Sequence, residues 1–520
     1  MKKRRVISCI LAGVLVLGGQ QVWAATTHYN DSSLTGGTDA WNAWTVAWNN
    51  VANDFTQVSL TPGAADSQIN FAWYNAGASG SPVVYFGTDP QNLQPHTGAS
   101  SNVDPSLTDG QAYSFNYVTV DGLNENTTYY YSVAKGAAVT PAEMYRTGSF
   151  ENVNILYVGD PQVGASKGQP QGEGKLAADS GAANTAARND GFAWDRTLDT
   201  ALAQNPNINF VISAGDQVNK TGKPKEEEYA AYLSASVLKN IPVATTIGNH
   251  DSLNPDYSYH FNNPNPTGLG RTEAGGDYYY SYGPGLFIVL NTNNYNVAEH
   301  DQTIQKAVEN FPDAQWRVVT IHQDIYGSGL DHSDTDGMIL RTQLTPVFDK
   351  YDIDVVLQGH DHTYSRSKIL YGDRQNHGTY EFRLNDKGDD YDWDHAYNTS
   401  TGEKIPLSPD ANDSAAVDAL GRFASDNHCY TIEGSGQSTV TNPNGTLYMT
   451  ANSASGSKYY ELISSQQDYI ARRSQNWLPS YSVINMTSGS FKITTYQITD
   501  NGNVETIDDA FTIYKTSGRR

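Results

Sequence analysis

From residue 56 to residue 148 the chain alternates short apolar and polar segments with turn residues, at 57–60, 69–73, 83–86, 117–120 and 129–133. Strand side chains alternate faces with period two, so segments of this length and spacing predict a small all-β sandwich. After Phe150 the pattern changes, and continuous apolar, β-branched runs recur at 155–158, 208–212, 243–247, 286–290, 318–321 and 355–357. Short runs without polar alternation predict strands buried on both faces. Helical-looking stretches at 194–203 and 226–238 separate some of them. The second part is therefore expected to be an α/β domain, a layered β-sheet with flanking helices. Runs at 445–449, 481–498 and 511–514 are expected to close it. Segments 165–187 and 372–426, rich in Gly, Ala and Gln or in polar residues, read as surface insertions.

The first residues change the picture of where this chain works. Met1-Lys2-Lys3-Arg4-Arg5 precedes an apolar segment at 6–18 and then Val22-Trp23-Ala24-Ala25. Basic, apolar, then small residues is the order of a secretory signal peptide. The apolar part is shorter than the roughly 20 residues a spanning helix needs. Export with cleavage near Ala24 or Ala25 is expected, giving a secreted or extracytoplasmic protein with no membrane span. The formal net charge of -23 makes the chain a poor binder of nucleic-acid backbones or anionic membrane surfaces, and no such partner is expected. Cys429 is the only cysteine beyond the leader, so no intrachain disulfide is expected. The divisions read from texture are 1–24 signal peptide, 25–52 lead-in, 53–149 sandwich and 150–516 α/β domain.

Candidate chemistry lies where the apolar runs end. They are followed by Gly159-Asp160-Pro161-Gln162, Gly215-Asp216-Gln217-Val218-Asn219, Gly248-Asn249-His250-Asp251, His322-Gln323-Asp324 and Gly359-His360-Asp361-His362. In open α/β sheets ligands bind at the carboxyl ends of the strands. Residues i and i+2 of an extended segment point the same way, so His360 and His362 are expected to present two imidazoles side by side. Alone, each motif is an ordinary turn, helix cap or core histidine. Together they place two carboxylates, an amide and three imidazoles at successive strand ends. That mixture suits borderline divalent ions such as Zn, Mn or Fe.

This ordered series resembles the calcineurin-like metallophosphoesterase superfamily and, more narrowly, the purple acid phosphatases, in which a fibronectin type III-like domain precedes the catalytic one. Residues 123–129 likewise resemble the tyrosine corner of fibronectin type III domains, with Tyr129 expected to bond back to the main chain. The resemblance implies two metal ions. Asp160 and His362 would bind the first, Asp216 would bridge both, and Asn249, His322 and His360 would bind the second. It also implies that His250 binds phosphate and protonates the leaving group, and that His332 is a second substrate histidine. Two ions about 3.5–4 Å apart can hold a phosphate, activate a water and stabilise the leaving oxygen.

Two positions depart from that pattern. Asn219 stands where purple acid phosphatases carry an iron-binding tyrosine, so a colourless divalent pair is expected. Gln162 stands where many superfamily members have histidine, and an amide there could bind the first metal or touch substrate. Arg366 could neutralise phosphate or form a salt bridge, and Asp251 could orient His250 or turn the chain. Acidic residues at 389, 390, 392 and 394 read as a solvated loop rather than a calcium site. The expected function is a secreted dinuclear hydrolase that cleaves small-molecule phosphate monoesters by attack of a metal-bound hydroxide, with inversion at phosphorus. A phosphodiesterase or nucleotidase would use the same site. A non-catalytic surface binding protein is the distant alternative.

Overall fold

The structure, a computed structural model, describes residues 38–168, 185–330, 336–373, 377, 379–384, 386, 392, 395–407, 412–434 and 437–516. The lead-in ends in a helix, α1 (Asp39–Val51), whose first turn is capped by the Thr38 hydroxyl accepting from the Trp41 amide at 3.2 Å. Trp41 and Trp48 are buried, and Trp44 donates from its indole to the Arg188 carbonyl at 2.8 Å. Burying a large apolar side chain contributes about 1.5–3 kcal/mol, so α1 is held by the body beneath it rather than by propensity.

A sandwich follows. Strands Ser59–Pro62, Gln68–Ala76, Tyr113–Asp121 and Ala99–Asn102 form one sheet. The other is built on Gln94–Thr97, Val83–Gly87 and Thr128–Lys135. Between the sheets lie Leu60, Phe71, Trp73, Val84, Val118 and Tyr131. The Asn124 amide donates to the Tyr129 hydroxyl at 2.8 Å, which is the expected corner.

The larger domain begins with β1 (Val153–Val158), α2 (Thr185–Gln204), β2 (Phe210–Ser213), α3 (Glu226–Leu233) and β3 (Val243–Thr245). Next come β4 (Tyr278–Tyr282), β5 (Gly285–Val289), α4 (Val297–Asn310), β6 (Trp316–Thr320), α5 (Asp336–Lys350), β7 (Val355–Gln358) and β8 (Tyr364–Gly372). After the polar segment come β9 (Tyr430–Glu433), β10 (Thr439–Thr441), β11 (Thr446–Thr450), β12 (Ile470–Ser474), β13 (Ser480–Thr487), β14 (Ser490–Ile498) and β15 (Val504–Tyr514).

These strands form two sheets, not the single open sheet that the strand-end argument assumed. One has the order β3-β2-β1-β13-β14-β15-β10; the other runs β4-β5-β6-β7-β11-β8-β9, with β12 added on β8. Strands β1, β2 and β3 are mutually parallel, as are β5, β6, β7 and β11. The period-two alternation explains the doubly apolar runs. Ile155 and Tyr157 face the inter-sheet core, where they meet Phe287, Val318, Val355 and Leu357. Leu156 and Val158 face outward, under Trp194 and Leu198 of α2 and Tyr229 and Tyr232 of α3. Val319 and Val356 likewise face α4 and α5 through Ile304, Leu340 and Phe348. The result is helix, sheet, sheet, helix.

Part of the segment 372–426 has a core of its own. Strands Tyr380–Glu381, His395–Asn398 and Lys404–Pro406, with the helix Ser414–Asp426, gather Tyr380, Phe382, Ile405 and Phe423 against Ile339 of α5. It is a small folded element rather than a simple loop. Its residues 389, 390 and 394 lie outside the described residues. Asp392 is engaged by His395 at 2.8 Å, Tyr397 at 2.7 Å and Lys404 at 3.1 Å.

Candidate metal centre

The parallel strands of both sheets end at one rim of the molecule, and the loops that leave them are stitched together. The Gln162 amide donates to the Asp216 carbonyl at 2.8 Å, and Asn219 donates to Val163 at 3.0 Å. Gly359 donates to His322 at 3.0 Å, and the His360 amide donates to both carboxylate oxygens of Asp160, at 3.0 and 2.9 Å. Below the rim, the buried Tyr157 hydroxyl of the first sheet accepts from the Gln358 amide of the second at 2.9 Å. The two halves of the site are thus held in register by main-chain amides of the second sheet donating to the Asp160 and Tyr157 side chains of the first.

The turns are sharp. Asp160, Gln162, Asp216, His360 and His362 all have positive φ, between 37° and 72°. Left-handed backbone in residues other than glycine is costly and is kept where surrounding structure enforces it. His360 and His362 therefore reach the same crevice through consecutive turns, not as alternate residues of an extended strand. Close approach also explains two of the glycines. A Cβ at Gly248 would lie 2.0 Å from Asp216 Oδ1, and one at Gly359 would lie 2.7 Å from the Ala214 carbonyl oxygen and 2.8 Å from Asp160 Oδ2.

All six ligand candidates converge. Ligand atoms of Asp216, His322 and His360 lie within 4.8 Å of one another. His322 Nε2 is 2.9 Å from Asn249 Oδ1, 3.1 Å from His360 Nδ1 and 3.5 Å from Asp216 Oδ1. On the other side, His362 Nε2 is 3.6 Å from Asp160 Oδ1. His250 stands at the edge, half-buried, with Nε2 4.0 Å from Asp216 Oδ2 and its main-chain amide 2.9 Å from Asp216 Oδ1. His332 lies outside the described residues.

Hydrogen bonds set the tautomers. His322 Nδ1 donates to the Ala214 carbonyl at 2.9 Å, and His362 Nδ1 donates to the Lys458 carbonyl at 2.8 Å. Each Nε2 is then the lone-pair nitrogen and is aimed inward. Burial, with the neighbouring imidazoles, pushes the His322 pKa down to about 4; burial, with the Lys458 charge, pushes His362 down. Both shifts favour the neutral ring. Burial and the Asp216 charge push Asp160 up.

His322 Nε2 faces the oxygens of Asn249 and Asp216 as well as the His360 ring, and His362 Nε2 faces Asp160. Lone pairs and carboxylates aimed at one another in a buried space repel unless cations sit among them. Gln162 adds a fully buried amide, neither atom of which has a hydrogen-bond partner among the described residues. The donor set fits two divalent ions. Asp216, Asn249, His322 and His360 suit one, and Asp160, Asp216 and His362 the other.

Other candidates resolve differently. Arg366 is buried away from the rim, paired with Asp508 at 2.6 and 3.2 Å, so it is a structural salt bridge. Asp251 accepts from the amides of Gly248 at 3.0 Å and Gln217 at 3.3 Å, which makes it a turn former. Sequence reasoning missed the loop after β11. There Ser453 Oγ donates to the Asp160 carbonyl at 3.0 Å and Ser457 Oγ to the Pro161 carbonyl at 3.2 Å. Lys458 supplies the carbonyl for His362, and its ammonium lies 4.5 Å from the Tyr460 ring centroid, a ring packed 5.2 Å from His362. The signal was the run of small residues Ser453-Ala454-Ser455-Gly456-Ser457 at a sixth strand end.

Comparison with known proteins agrees with this geometry. Residues 153–364 match the family Calcineurin-like phosphoesterase, and residues 55–151 match Purple acid Phosphatase, N-terminal domain. A phosphoenolpyruvate phosphatase of Allium cepa is 23% identical over 330 residues, 60% of this chain and 62% of the relative, so the match spans less than two thirds of that protein. An uncharacterized protein of Mycobacterium tuberculosis (strain ATCC 25618 / H37Rv) is 39% identical over 57 residues, 11% of each chain. Among solved structures, a purple acid phosphatase from yellow lupin (Lupinus luteus) seeds superposes with a TM-score of 0.53 at 13% identity, covering 88% of this chain and 75% of that one.

Proposed function

We propose that this chain, which carries a calcineurin-like phosphoesterase domain behind a purple acid phosphatase N-terminal domain, is an exported metal-dependent phosphatase acting on small phosphate monoesters. The observation that carries the reading is the inward convergence of His322, His362, Asp160, Asp216 and Asn249 in one buried space. The basic–apolar–small order of residues 1–25 supports export. The Allium cepa relative, a phosphatase of a monoester, supports the substrate class.

When bound, two divalent ions would supply Lewis acidity for the phosphate oxygens and a lowered pKa for the attacking water. The residues supply the rest. Asp216 lies between the two ligand groups and is the carboxylate that can serve both. His250 Nδ1 donates to the Asn219 carbonyl, which leaves Nε2 facing the site from outside the ligand cluster. Once Nε2 is protonated as well, it can hand that proton to the departing alkoxide from there. The Lys458 ammonium gives this acidic protein local positive charge beside His362, which favours an anionic substrate.

The test combines elemental analysis with rates on an aryl monoester and a bis-aryl diester, before and after chelation, for wild type and Asp216→Ala. Two bound divalent ions, chelator-sensitive monoester hydrolysis and an inactive variant are expected. A faster diester rate would move the assignment to phosphodiesterase. Metal-free wild type without hydrolysis of either ester would leave a binding protein.

A further inference from the structure

The first turn of α3 holds both partners of the His250–Asn219 contact, and the sandwich domain holds that turn. Lys225, the residue before α3, has a fully buried ammonium that donates to the His250 carbonyl at 3.1 Å and pairs with Asp256 at 3.5 Å. Glu228, one turn on, accepts through a single carboxylate oxygen from the amides of Asn219 at 3.0 Å and Lys220 at 2.7 Å. The Asn219 carbonyl in turn receives His250 Nδ1. Main chain on one side of the imidazole and its hydrogen-bond acceptor on the other are thus tied to the same helical turn.

Between them, Glu226 points away from the site. Its carboxylate binds His260 Nε2 at 2.7 Å and the Tyr74 hydroxyl, from the sandwich, at 3.2 Å. The Tyr74 ring stacks on His260 at 4.4 Å, and Phe115 of the sandwich stacks on Tyr259 at 4.4 Å. Thr61 and Asn70 of the sandwich donate to the Asn262 carbonyl at 2.7 and 2.8 Å. Buried groups paired in this way hold one geometry, because losing a partner strands the other in a low dielectric.

We propose that Lys225 and Glu228 are positioning residues for His250, and that the sandwich, through Tyr74, completes the device. The N-terminal domain is then part of the active-site support rather than an appended module. This rests on the reading of His250 as the donor of the leaving-group proton. General acid help matters for a poor leaving group and little for a good one, and loss of such help costs about 10²–10⁴-fold. Misplacement of about 1 Å costs up to about 10²-fold.

The experiment compares kcat/KM for an alkyl phosphate and for p-nitrophenyl phosphate in the full chain. It uses wild type, His250→Ala, Glu228→Ala, the charge-neutral pair Lys225→Met with Asp256→Asn, and Tyr74→Ala. Metal content and thermal midpoint are measured on each. His250→Ala is expected to lose activity on the alkyl ester selectively. Glu228→Ala and the neutral pair should follow with losses of about 10–100-fold on the alkyl ester and no more than about threefold on the aryl one. Tyr74→Ala should show the same bias more weakly, with metal content unchanged. Equal losses on both esters in the positioning variants, or none with His250→Ala still selective, would overturn the proposal while leaving the phosphatase reading intact. Wild type inactive on both esters would overturn that reading, and this one with it.

Discussion

His322 and His362 each donate one ring nitrogen to a main-chain carbonyl and turn the other inward, and that division of labour determines what a substitution should remove. His362 stands with Asp160, away from the group formed by Asp216, His322 and His360. His362→Ala is therefore expected to deplete one metal before the other by elemental analysis, whereas Asp216→Ala should lose both; equal loss from His362→Ala counts against two distinct positions. Gln162 offers a sharper test. A buried amide left without a partner costs about 1–3 kcal/mol. Gln162→Met should leave the metal-free protein as stable or more stable by up to about that amount, while lowering occupancy of the position beside Asp160. A less stable variant with full metal content would make Gln162 a structural residue. The candidate ligands were legible because each follows an apolar run. The tautomers were not, since Ala214 and Lys458 act through carbonyls that carry no sequence signature.

At the level of elements, Arg366 shows how position overrides chemistry. It sits on β8 of the second sheet, while Asp508 sits on β15 of the first, and Tyr364 adds a hydroxyl to Asp508 at 2.7 Å. The three form a clasp between the sheets at a distance from the rim. Breaking a buried ion pair by removing one partner costs about 3–5 kcal/mol. Arg366→Ala should lower stability by that order in denaturant titration without changing metal content. Loss of metal at unchanged stability would return Arg366 to the site. The strands themselves were readable because burial on both faces demands uninterrupted apolar runs. The folded element within 372–426 was not, because its few apolar residues gain their burial from Ile339 of α5, contributed by a different part of the chain.

Across the whole molecule, buried carboxyls tie stability to pH. Burial pushes Asp190 up to about 7, although it accepts from the amides of Gly164 at 2.8 Å and Ser166 at 3.1 Å; burial also pushes Glu228 up to about 7. A raised carboxyl binds more protons in the folded than in the unfolded chain between its two pKa values. Its contribution is complete below about pH 4 and is lost as pH rises to about 7. Asp190→Asn should therefore narrow the gain in thermal midpoint that wild type shows at pH 5 over pH 8, by a few degrees, since about 1 kcal/mol moves a 150–250-residue domain by about 2–4 °C. An unchanged difference would mean that Asp190 is ionised when folded. Local physics made much of this protein readable from its residues: buried strands need apolar runs, tight turns need glycine, and metals need imidazole and carboxylate. The sequence by itself therefore determined a sandwich ahead of an α/β domain, and the donors at the ends of its strands. The pairing of two sheets, the clasp that claims Arg366, the loop that brings Lys458 to His362, and the contact of Tyr74 with Glu226 join residues far apart in the chain. Only the tertiary structure decided those, because their energies exist only once the distant segments have been brought together.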